Sequence, residues 1–125
     1  MKKYDPAHAP NPAEWLRLDE QRRIALCEEH HRRAGDDLPN PEAHAAFHAI
    51  IETQIAENYE PVVRAMGRLV GEGLTRHEAI HAIASVLAKH LYEAAKLSEK
   101  EAAELMQVGY GAAVGRLTKA QWLDG

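Results

Sequence analysis

The sequence predicts an all-α protein, a compact up-down bundle of four to five helices, and three observations carry that expectation. Alanine supplies 22 of the 125 residues, whereas Ile, Val and Thr together supply 15; helices favour Ala and strands favour β-branched side chains. Apolar residues recur at helical spacing in five stretches. Proline, glycine and capping residues separate those stretches where a helix must start or stop.

Residues 1–11 carry two prolines, Pro6 and Pro10, and no periodicity and are read as an extended N-terminal arm. Residues 12–125 are read as a single helical-bundle domain. Asn11-Pro12 is an N-cap followed by a first-turn proline, opening a short turn with Trp15, Leu16 and Leu18. Asp19 caps a helix to about Ala34, whose inner face is Ile24, Cys27, Glu28 and His31. Gly35 to Pro39 ends it. Asn40-Pro41-Glu42 opens a helix to about Glu57 with His44, Phe47, His48, Ile51 and Ile55 on one face. Pro61 to Glu72 forms a shorter helix carrying Val62, Met66, Leu69 and Val70. Thr75-Arg76-His77-Glu78 is a capping box before a helix to about Lys96, with a stripe of Ile80, Ile83, Ala84, Leu87 and Leu91. Ser98 to Glu101 is a second capping box, leading into Leu105, Met106 and Val108. The small residues Gly109 to Gly115 follow, suited to close helix packing or to an interface, so a homodimer is one expected assembly. Thr118 caps a last turn with Trp122.

Charge and composition narrow the partners. The formal net charge of −4 gives no broad positive field, which argues against nucleic acid as a partner. No stretch reaches the ~20 apolar residues of a membrane span, and the first residues lack the apolar run of a signal peptide. The single cysteine, Cys27, excludes an internal disulfide and fits a cytoplasmic protein.

Eight histidines stand beside one Phe and two Trp, and their spacing carries the chemistry. His77-Glu78-Ala79-Ile80-His81 matches H-E-x-x-H. On a helix, His at i and i+4 point the same way, about 6 Å apart, and can share one metal ion. The intervening Glu78 is then placed as a catalytic general base on a metal-bound water. His44 and His48 form a second i, i+4 pair. If the helices run up-down-up, His44 and His77 sit about 6 and 3 Å up their helices, and His48 and His81 about 12 and 9 Å. The expected metal ligands are therefore His44, His48, His77 and His81, gathered at one end of the bundle. Glu28, His30 and His31 reach the same end. Glu52, about 18 Å up its helix, is placed too high. The expected cofactor is a transition metal ion, zinc or iron foremost. Cys27 is read as a small core residue, and His8 and His90 as structural or surface groups.

At these residues the chain resembles a group of small bacterial helical proteins of unknown function. The resemblance covers roughly residues 38–95. It is carried by His44-Ala45-Ala46-Phe47-His48, by Glu52-Thr53-Gln54, by Glu60-Pro61-Val62-Val63-Arg64 and by the helix beginning His77-Glu78. It implies a first helix bearing H-x-x-x-H and a later one opening with H-E. In some relatives the place of His81 holds Glu, an exchange that suits a metal ligand. The resemblance implies a shared fold and histidine site, and no activity.

Three other functions compete. A zincin-like hydrolase would use His77, Glu78 and His81, but Leu87 stands where the extended motif needs its third His. A di-iron carboxylate bundle would need more carboxylates than are placed here. A non-catalytic helical interaction module would leave the histidines incidental.

Overall fold

In a computed structural model, residues 1–124 are described, and among them the chain is all-α with no strand. Seven helices follow in order. They are α1 (Pro12–Arg17), α2 (Glu20–Ala34), α3 (Pro41–Ala56), α4 (Glu60–Gly71), α5 (Arg76–Ala94), α6 (99–116) and α7 (Lys119–Asp124). Five of these are long, as the periodicity predicts. The chain forms two compact units, Met1–Tyr59 and Glu60–Gly125.

In the first unit the expected capping residues hold the helix starts. The side chain of Asn11 accepts the backbone N–H of Glu14, Asp19 accepts that of Arg22, and Asn40 accepts that of Ala43, so each satisfies an orphan donor of a first turn. Gly35 ends α2 in the left-handed region at φ 74°, a conformation glycine adopts without a Cβ penalty. Residues 35–40 then turn the chain so that α3 packs on α2. This short connection brings the last turn of α2 beside the first turns of α3.

The core of this unit is Tyr4, Trp15, Leu26, Cys27, Ala45 and Ala49. Helix α3 therefore buries Ala45, His48, Ala49, Ile51 and Glu52, while Phe47 and Ile55 are only half-buried. The buried face is rotated from the expected one towards Ala45 and Ala49, which join the core with Leu26 and Cys27 of α2. Residues 1–11 form no helix, yet Tyr4 is fully buried and Pro6 is among the fully buried side chains. Asp5 organises a turn there, accepting from the N–H of Ala7 with its side chain and from that of His8 with its carbonyl.

In the second unit α4 packs on α5 and on the second half of α6. Thr75 and Glu78 form the predicted capping box at the start of α5. Ser98 caps α6 in a variant of the expected box, since Glu101 accepts from the Ser98 hydroxyl. Helix α6 is not uniform. Its middle turn, Leu105–Gly109, is π-helical, and the Tyr110 N–H donates to the Leu105 carbonyl five residues back. Arg68 on α4 donates to the carbonyls of Val114 and Leu117, satisfying orphan acceptors at the end of α6.

Candidate metal centre

The functional geometry of the first unit starts from two helix ends. His31 lies in the last turn of α2, and His44 and His48 lie on successive turns near the start of α3. Residues at i and i+4 share a helix face, so His44, His48 and Glu52 form one stripe. The ring centroids of His31 lie 4.5 Å from those of His44 and 4.8 Å from those of His48, and the His44–His48 separation is 5.1 Å. One nitrogen from each of these three rings lies within 4.8 Å of the others. Three imidazoles held this close could hold a metal ion, and nitrogen donors of this kind suit first-row transition metals. Ions bound at 2.0–2.1 Å hold their ligand nitrogens about 3.3 Å apart, so ring rotation of about an ångström closes the site.

Burial makes the cluster chemically distinctive. His31 is 4% exposed, His48 1% and Glu52 1%. Burial, and then the neighbouring His31, pushes the His44 imidazole below its ordinary value, so it favours the neutral, ligating form. His31 Nδ1 is 2.7 Å from the Cys27 carbonyl. A carbonyl only accepts, so Nδ1 carries the hydrogen and the lone pair lies on Nε2. Such a hydrogen bond is the usual way a protein fixes the tautomer of a ligating histidine.

On the other side, His48 Nδ1 is 3.2 Å from the Tyr4 hydroxyl, which donates to Glu52. Cys27 is buried, and that burial, reinforced by the charges of Glu52 and Glu28, raises its thiol far above the usual range. It stays a protonated core group, as the sequence reading had it. A cleft of about 270 Å³ lined by Glu28, His31, Arg32, Asp36, Leu38 and Pro41 leads to His31 from outside.

Of the sequence-predicted ligands, His44 and His48 are thus brought together, and His31 joins them. His77 and His81 lie in the second unit, on one face of α5, with ring centroids 4.3 Å apart. Glu78 is exposed, and its Oε1 accepts the Thr75 N–H to close the capping box. Those hydrogen bonds hold its carboxyl below the usual range, whereas a general base works best with a pKa near the working pH. His8 sits beside Asp5 on the surface, and His90 Nδ1 meets the Val86 carbonyl. The sequence brings His31 to this end of the bundle without counting it among the four ligands, places Glu52 too high, and gives Tyr4 no part in the site.

The shifts of His30 and His44 predict a pH dependence for the metal-free protein. Burial is the first cause of both, and both lie below the ordinary 6.5. The unfolded chain therefore binds more protons than the folded one between the lowered values and 6.5. Stability contributed by these groups is complete above 6.5 and is lost as the pH falls through the lowered values. Urea midpoints measured across that range should fall on acidification, and His44→Gln should flatten the slope.

Comparison with family models, with curated proteins and with solved structures finds no match to this chain. Among the described residues no helix is long and apolar enough to cross a membrane.

Proposed function

We propose that this protein binds a first-row transition metal ion, zinc or iron foremost, through His31, His44 and His48. The observation that carries the reading is the convergence of three imidazoles, His31 and His48 buried and His44 half-buried, to within 4.8 Å of one another, with a carbonyl fixing the tautomer of His31. Neutral imidazole suits Zn, Fe, Ni and Cu, and the absence of a thiolate from the set leaves the choice to geometry and availability.

His77 and His81 stand in the proposal as a second donor pair, supported by their i, i+4 spacing on α5. The resemblance to the bacterial helical family supports the His44-x-x-x-His48 helix as part of the site. The single cysteine supports a reducing, cytoplasmic setting. The engagement of Glu78 in its capping box favours metal binding over a zincin-like hydrolysis.

Elemental analysis of protein purified without a histidine tag tests the reading. About one equivalent of a transition ion per chain is expected, lost in a His44→Ala/His48→Ala variant that still folds. A His77→Ala/His81→Ala variant assigns the second pair: retention of the full equivalent leaves the ion to the first unit's histidines. A parent protein that carries no ion and takes up none of Zn, Fe, Ni or Cu contradicts the proposal.

A further inference from the structure

Tyr4 belongs to the segment before α1, which has no helical hydrogen bonds of its own, yet its side chain is fully buried. Its ring lies 5.7 Å from that of Trp15 and meets the His48 ring edge-on at 5.9 Å. Its carbonyl accepts from Arg33 of α2 at 3.4 Å. The buried hydroxyl lies between two groups of α3, His48 Nδ1 and the Glu52 carboxylate. A hydroxyl has a single hydrogen, and here it goes to the carboxylate. The contact with His48 must then use an oxygen lone pair, so Nδ1 carries the hydrogen. The His48 lone pair is thereby set on Nε2, the same nitrogen that the Cys27 carbonyl leaves as donor on His31.

We propose that Tyr4 is a positioning residue of the metal centre, backed by Glu52, and that ion binding is linked to docking of the N-terminal segment. This inference rests on the metal reading above and deepens it. An ion on Nε2 selects the one tautomer of His48 that the Tyr4–Glu52 pair stabilises. Partners of this kind, behind a ligating histidine, orient the ring and raise its basicity. Linkage is reciprocal: whatever factor the docked tyrosine adds to ion affinity, the ion adds to docking. The segment is thus a strap fastened by the ion through His48.

The test uses tag-free, metal-free full-length protein titrated with Co²⁺ and followed by its visible absorption. Tyr4→Phe keeps the ring packed on Trp15 and removes the hydroxyl. It should bind Co²⁺ about 10- to 100-fold more weakly, with a far-UV circular dichroism spectrum unchanged before ion is added. Glu52→Gln keeps the tyrosine in place and removes the charge behind it; it should also weaken binding, and it carries the test if Tyr4→Phe does not fold. The second readout is tryptic cleavage after Lys3, which needs the segment undocked. Co²⁺ should slow that cleavage in the parent by a factor matching the affinity lost in Tyr4→Phe, and should not slow it in Tyr4→Phe itself. A parent that binds Co²⁺ while both variants bind equally well, or whose cleavage after Lys3 ignores the ion, overturns the strap and leaves the metal reading intact. A parent that binds no Co²⁺ at all overturns both.

Discussion

The metal-free protein is expected to melt about 10 °C below the loaded one when the ion is present at about a hundred times its dissociation constant. An ion that binds only the folded chain adds about 2.7 kcal/mol at that ratio, and a domain of this size shifts by roughly 4 °C per kcal/mol. The His44→Ala/His48→Ala variant should melt at one temperature with or without the ion. Its own melting point will also fall, because truncating buried rings leaves a cavity. The informative comparison is therefore each protein with itself, before and after the ion is added. Differential scanning calorimetry of both chains across a zinc or iron titration makes that comparison. A parent whose transition ignores Zn, Fe, Ni and Cu would leave the histidines as packing groups.

The second large effect is structural and sits beneath the site. Trp15 is fully buried in the core of the first unit. Its indole N–H donates to the Thr53 hydroxyl at 3.1 Å, and its carbonyl accepts from Arg23 at 3.1 Å. Trp15→Ala removes the largest of these fully buried side chains and should cost about 3–5 kcal/mol, a large part of the roughly 5–15 kcal/mol that holds a domain folded. Trp15→Phe keeps most of the apolar area and loses chiefly the hydrogen bond to Thr53, about 1 kcal/mol. Urea unfolding measures both. Because Tyr4 packs on this ring, Trp15→Ala should weaken ion binding as well, and a variant with the parent's midpoint and affinity would contradict the packing described.

Helix starts and stops were the most legible part of this chain, since each rests on a local device. Asn11, Asp19, Asn40, Thr75 and Ser98 cap helices because short polar side chains reach a first-turn N–H, whatever packs around them. The pairing of His44 with His48 is local in the same sense. What the sequence did not announce depends on contacts between distant segments. The short turn before Asn40 brings His31 to the right end of the bundle, but its close approach to the His44 and His48 rings depends on how α2 packs on α3. Glu52 was discounted by its height along its own helix, a measure that takes no account of a partner arriving from another segment; Tyr4 reaches it from 48 residues away. Tyr4 itself lies in a segment without periodicity, where no pattern marks a buried residue. The buried face of α3 carries Ala45 and Ala49 into the core with α2, small residues that a reading by hydrophobicity underweights. The π-helical turn Leu105–Gly109 has no periodic signature, because its defining bond adds one residue to a single turn.

The central claim, that histidines of the first unit hold a transition ion, is tested most directly by X-ray absorption spectroscopy of the zinc-loaded, tag-free protein. The proposal predicts a shell of nitrogen at 2.0–2.1 Å with the outer-shell scattering of at least three imidazole rings, reduced in His44→Ala/His48→Ala. A shell built of oxygen or sulfur, or one with imidazole scattering unchanged in that variant, would contradict it.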